Sequence, residues 1–306
     1  MILVTGGYGF IGAHTTRALL DLGAPALPAS RNPRLSALLP AEVAATTLDC
    51  TDPQSLAGLG RRHHITTIVH LAAAPLGGGT ALEELDHNTA ATVAVLRAAA
   101  GWQVERVVLA STIGVYAGVE HLPWREDAPL PLASPHPIPA SKKIAEILAL
   151  ASGLEVVVAR IGGIWGPGGR PSSPFMAAPG LVHAAAAQIR AGAATSDTRA
   201  AAVHTSGADL LYARDCGAAL AMLATAPVLE HRVYNVGGGR PTTNGEVVAA
   251  IAKVRPEVRP ALPDGGHGPV PYLDTTRLRA AGWAPEWPLD RAVADYLDWL
   301  AAGHER

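Results

Sequence analysis

The stretch Thr5-Gly6-Gly7-Tyr8-Gly9-Phe10-Ile11-Gly12 joins a short apolar run, Ile2-Leu3-Val4, to a segment with helical periodicity, Phe10 to Leu22, closed by Gly23. Gly6, Gly9 and Gly12 therefore occupy a strand-to-helix turn with the spacing G-x-x-G-x-x-G. A glycine turn lets backbone approach a pyrophosphate, and the helix start offers unpaired N–H groups and partial positive charge. Gly12 allows the helix to pack closely on the strand. A glycine triplet also suits an ordinary tight turn, but its place between a strand and a helix favours dinucleotide binding.

The second strand bears on the choice of dinucleotide. Ala26 to Ala29 has weak strand character, interrupted by Pro28, and leads into Ser30-Arg31-Asn32 without a carboxylate. NAD sites usually end this strand with an acidic residue on the ribose hydroxyls. A hydroxyl and a fork-shaped cation suit a 2′-phosphate instead, so NADP(H) is expected in preference to NAD(H). A solvated loop arginine is the plainer reading of Arg31.

Outward from this turn, strand and helix signals alternate. Ile65 to Ala72 and Val104 to Ala110 are continuous apolar runs of parallel-strand character, and Glu155 to Ile161 gives another strand. Thr89 to Ala100 and Ser141 to Ala151 read as helices. The alternation predicts an α/β fold: a Rossmann-type doubly wound parallel sheet, with a smaller C-terminal substrate-binding cap. Residues 1–168 form the expected dinucleotide-binding domain, to which 207–238 return. Residues 169–206 and 239–306 form the cap, with helices at 180–192 and 289–301 and a Pro/Gly loop at 259–271.

Composition excludes several classes. The chain has 306 residues, of which 16% are charged, and a formal charge of −2. It lacks the basic field that nucleic acid or an anionic membrane requires. Cys50 and Cys216 lie far apart in unrelated patterns, which excludes a disulfide framework and a cysteine-based metal site. His63-His64 follow Arg61-Arg62 and read as a solvated helix end, so no metal is expected. No apolar run spans a bilayer and the N-terminus does not read as a signal peptide, so the expected location is cytoplasmic. The expected partner is a small-molecule substrate, with a homodimer as a further possibility.

Together these segments resemble the extended short-chain dehydrogenase/reductase (NAD-dependent epimerase/dehydratase-like) family along almost the whole chain. Thr5 to Gly12 is similar to its nucleotide signature, and Leu48-Asp49-Cys50-Thr51-Asp52 to the segment that touches adenine. His70-Leu71-Ala72-Ala73 resembles the strand passing under the cofactor, and Asn88 the asparagine that braces the central helix. Val107 to Tyr116 resembles the catalytic Ser/Thr strand, and Arg160 to Pro167 the strand and loop below the nicotinamide. Leu211 to Asp215, Asn235 to Gly238, Leu273-Asp274-Thr275 and Ala281-Gly282-Trp283 match later landmarks. The resemblance implies cofactor contacts from Gly6, Gly9, Phe10, Ile11, Gly12, Ser30, Arg31, Asp49, Cys50, Leu71, Ala72, Ala73, Lys142, Gly163 and Ile164.

The resemblance also implies a catalytic set, and here the chain departs from it. The substrate-holding hydroxyl falls on Thr112, with Ser111 adjacent, and the ribose-binding lysine on Lys142. The position of the proton-transferring tyrosine is Ile138, which cannot exchange a proton. Pro139 is expected in the first helical turn, holding Ile138 extended. His136 and Tyr116 are the nearest candidate replacements. The asparagine and one arginine that mark nucleotide-sugar enzymes fall on Gly163 and Ala208, and a second arginine would fall near Asp264. A diphosphate without cations is poorly held. The expectation is therefore an NAD(P)-dependent oxidoreductase of a small non-nucleotide carbonyl or alcohol, with UDP- and dTDP-sugars excluded. The alternatives are a repurposed isomerase, lyase or cyclase that retains the dinucleotide, and a non-catalytic dinucleotide-binding protein.

Overall fold

The computed structural model describes all residues except 35, 76, 135, 192–205, 259, 261, 263–268 and 305–306. Its first part runs β1 (Ile2–Thr5), α1 (Phe10–Asp21), β2 (Ala26–Ser30), β3 (Thr46–Thr47), α2 (Pro53–Arg62), β4 (Thr67–His70), α3 (Ala81–Trp102), β5 (Arg106–Thr112), α4 (Pro137–Leu150) and β6 (Val156–Ile161). There follow β7 (Gly163–Trp165), α5 (Ala178–Ala191), β8 (Gly207–Ala208), β9 (Leu210–Tyr212), α6 (Ala213–Thr225) and β10 (Val233–Val236). The chain ends with β11 (Thr242–Thr243), α7 (Asn244–Val254), α8 (Thr276–Ala280) and α9 (Leu289–Ala301).

Seven parallel strands form the main sheet in the order β10-β6-β5-β4-β1-β2-β3. This is the doubly wound α/β architecture that the alternation predicts. One apolar cluster lies between the sheet and α1 with α6, and holds Leu19, Val108, Cys216 and Leu220. A second, with Leu56, Val95, Leu109 and Ala145, lies under α2, α3 and α4. Strand order reverses between β1 and β4, and a crevice opens there at the carboxyl ends of the strands. A third cluster joins Trp165 to α5, α7 and α9 and forms the smaller C-terminal layer.

Pro28 sits within β2 at little cost, because β3 pairs only with Ala29 and Ser30. Residues 26–28 are in effect an edge, where proline is tolerated. A larger difference concerns α4. It starts at Pro137, and Ile138 is helical rather than extended. The first helical turn needs no N–H donors, so prolines 137 and 139 both fit it.

Candidate active site

At Gly6 the backbone is left-handed, with φ of 69°, and a Cβ there would lie 3.0 Å from the Ala72 nitrogen. A Cβ on Gly12 would lie 2.1 Å from the Gly6 carbonyl oxygen. The turn is thus pressed between the ends of β1 and β4. Gly9 is the N-cap of α1 and no side chain caps that end, so its first N–H groups face the crevice. Thr5 closes the cradle from below. Its hydroxyl accepts from the Leu71 and Ala72 amides at 3.2 and 3.3 Å and bonds the His70 Nδ1 at 2.8 Å. Sequence reasoning did not single out Thr5, although it directly precedes the glycines. Ala74 donates to the Asn88 side chain at 2.8 Å, which fixes the segment containing Ala73. Uncapped donors and a Cβ-free cradle fit the pyrophosphate of a dinucleotide.

At the end of β2 the Ser30 hydroxyl is buried without a partner, a group that a ligand hydroxyl would satisfy. Arg31 is exposed. Burial raises the Asp49 carboxyl, but hydrogen bonds from Thr51 and the nearby Arg31 charge outweigh it and hold Asp49 below the usual range. Burial pushes the Cys50 thiol up to about 12, so it is an inert neighbour.

At the other end Thr112 closes β5, and its Oγ1 accepts from the Gly114 amide at 3.2 Å. Lys142 lies on α4, one turn beyond Ile138. Desolvation pushes its ammonium down to about 8, opposed by Glu146. Ser141 beside it donates to the Ile138 carbonyl and accepts from Asn88, which ties α4 to α3. Gly163 is buried, and a Cβ there would lie 2.8 Å from the Asp209 carbonyl. The crossing of β7 and β9 therefore requires glycine at that position. Ile164 is buried against the sheet core.

The two expected proton sources lie elsewhere. Tyr116 is fully buried; its hydroxyl donates to Asn235 and accepts from Arg160, each at 2.8 Å. Burial pushes it up to about 12. His136 is the exposed N-cap of α4, and its ring stacks on Phe175. The Tyr116 partner Arg160 pairs with Glu146 at 2.8 Å, and Glu146 also accepts from Ser111. This buried network fixes the end of β5 against α4 and β6. Among the described residues no group of three His, Cys, Asp or Glu could hold a metal, and no helix could cross a membrane.

A cleft of about 390 Å³ connects Phe10 and Ile164 with Arg170, Ser173 and Phe175 of the following loop. A cation does reach the space beside the phosphate turn, although Gly163 and Ala208 provide none. Asp264 lies outside the described residues.

The chain is 31% identical to the UDP-glucose 4-epimerase of Azospirillum brasilense, over 97% of this chain and 91% of that protein. A solved structure of the Thermus thermophilus UDP-glucose 4-epimerase with NAD matches with a TM-score of 0.77 at 26% identity, covering 98% of each chain. MoeE5 in complex with UDP-glucuronic acid and NAD matches with a TM-score of 0.75 at 28% identity, covering 99% of each chain.

These likenesses correct two expectations. The solved relatives hold NAD, which overturns the NADP(H) preference drawn from Ser30 and Arg31. The physical reason is visible at the site: Asp49 already opposes the Arg31 charge. The same relatives are named for UDP-sugars, which overturns the oxidoreductase of a small non-nucleotide substrate and its exclusion of UDP- and dTDP-sugars. Arg170, from the loop after β7, lines the cleft, so the residues at 163 and 208 do not leave it without a cation. The family model of NAD dependent epimerases and dehydratases matches residues 2–237, and the chain belongs to that family.

Proposed function

We propose that the chain is an NAD-dependent enzyme that modifies the sugar of a nucleotide sugar without net consumption of the dinucleotide. This is the retained-dinucleotide isomerase or lyase alternative, now with a substrate class. The observation that carries it is the joint placement of an uncapped, glycine-lined helix start with Thr112 and Lys142 at the carboxyl edge of one sheet. NAD, when bound, supplies hydride acceptance and return. The glycine turn would hold its pyrophosphate, Asp49 and Ser30 its adenosine half, and Lys142 its nicotinamide half. Thr112 would hold the reacting oxygen of the sugar, and Arg170 the diphosphate. A second copy of the chain is the proposed partner, because Ile144 and Ile147 of α4 are exposed side by side. Both cysteines are buried, unpaired thiols, in keeping with a reducing, cytoplasmic setting.

The test is direct. Released cofactor should be NAD, and UDP-glucose, UDP-glucuronate or dTDP-glucose should be converted with no net absorbance change at the nicotinamide band. Retention of NADP, or binding of none of these sugars, overturns the reading. A second reading, dinucleotide binding without turnover, has Ile138 in its favour, since the family's proton-transferring tyrosine would stand there. Sugar binding without conversion would select it.

A further inference from the structure

The chain contains three lysines, Lys142, Lys143 and Lys253. Lys143 points its ammonium at the Pro131 and Ala133 carbonyls. Lys253 pairs with Asp290. Lys142 has no hydrogen bond or salt bridge among the described residues, although burial desolvates its ammonium. The carboxylate one turn away, Glu146, is held by Arg160 and Ser111. The Lys142 charge acts on His70 of β4, which is buried and neutral and whose Nδ1 is taken by Thr5. Tyr116 is closed off in its own network and His136 stands outside on Phe175. An unpartnered amine therefore lies one helical turn from Ile138, which has no proton to exchange.

We propose that Lys142 is itself the proton-transferring group, acting directly on the sugar hydroxyl that Thr112 holds. The inference rests on the nucleotide-sugar reading above. In the oxidative half-step the sugar O–H bond breaks and its proton moves to the neutral Nζ. The carbinol C–H bond breaks, its electron pair leaves as hydride to the nicotinamide dinucleotide, and the C=O bond forms. The carbinol carbon is oxidised; return of the hydride to the carbonyl carbon, with the Nζ proton to its oxygen, reverses the balance. The surroundings favour this use of the amine. Burial, partly opposed by Glu146, pushes Lys142 down to about 8. Roughly a tenth is then neutral at pH 7, against less than about a thousandth for an ordinary lysine. Burial sets this value against the charge of Glu146 on α4, which is itself paired with Arg160 of β6, while the neutral His70 of β4 feels the Lys142 charge.

Two measurements test it. Pulse labelling with acetic anhydride, read by tandem mass spectrometry at Lys142, should show a reactivity midpoint near pH 8. A midpoint at the ordinary lysine value of about 10.4 overturns the assignment. The second measurement uses Lys142→Arg, which keeps a cation for the cofactor but cannot lose its proton. NAD affinity by calorimetry should stay within about threefold while conversion of the sugar falls by at least about a hundredfold. Adding Ile138→Tyr places a phenol one helical turn away and should recover at least about tenfold. Turnover by Lys142→Arg within about twofold of the parent overturns the proposal, as does a double variant no better than the single one. A parent that converts no nucleotide sugar refutes the proposed function instead, and the labelling midpoint then decides the role of Lys142.

Discussion

Thr112 stands at the end of β5, where its hydroxyl accepts one local amide while its proton remains available. Thr112→Ala should lower sugar conversion by roughly tenfold to a thousandfold, with NAD affinity unchanged. Parallel measurement of kcat and of NAD binding checks this; a loss confined to NAD binding would place Thr112 in the cofactor site. A residue of this kind is legible in sequence because one geometric demand fixes its type. Gly6 and Gly12 are legible for the same reason, through a left-handed turn and a backbone approach that follow from strand, turn and helix in order. Meaning that depends on a neighbour distant in sequence is not legible in that way. The carboxylate that opposes Arg31, Asp49, arrives from another strand connection. Tyr116, near Thr112 in sequence, belongs to Arg160 and Asn235 in space.

At the scale of elements, the phosphate turn makes the sharpest demand. A methyl on Gly12 would meet the Gly6 carbonyl at 2.1 Å, and the obstacle is backbone on both sides. Gly12→Ala should therefore displace α1 from β1 and abolish NAD binding, with a lowered Tm; wild-type NAD affinity in that variant refutes the packing account. Helix positions are legible from periodicity, but their starts depend on capping. α3 begins at the Thr80–Glu83 capping box, well before Thr89, and α2 begins with Asp52 accepting from Gln54 ahead of Pro53. Both signals stand in the sequence, in short polar runs that an apolar period passes over. The same layer of helices carries the proposed partner surface. Ile144 and Ile147 of α4 are 37% and 65% exposed and adjacent at helical spacing. Ile144→Glu with Ile147→Glu should convert a dimer to a monomer by sedimentation while the chain stays folded; a parent that sediments as a monomer removes the partner.

For the whole molecule, three deeply buried groups with large shifts contribute to the response to acid. His14 is pushed down to about 4, chiefly by burial, while its Nε2 bonds the Pro167 carbonyl at 2.8 Å. His70 is pushed down to about 3, by burial and then by the Lys142 charge. Both rings are neutral in the folded chain, whereas an unfolded histidine takes a proton near pH 6.5. The unfolded state therefore binds more protons below that pH, so stability is complete above pH 6.5 and declines on acidification toward the folded values. Asp209 acts in the opposite sense. Burial raises it to about 6 against the three amides of Leu273, Gly238 and Gly239 that favour its charge. The folded state then binds the extra proton below pH 6, and stability is gained as pH falls through that value. Among these three groups two histidines outweigh one aspartate, and their combined contribution between pH 7 and pH 5 is a loss of roughly 2–3 kcal/mol. The urea midpoint should fall over that interval. His14→Gln keeps a donor for Pro167 and removes one titration, so its midpoint should depend less steeply on pH than the parent's. A parent midpoint that is flat or rises from pH 7 to 5 would show that these rings are protonated in the folded chain.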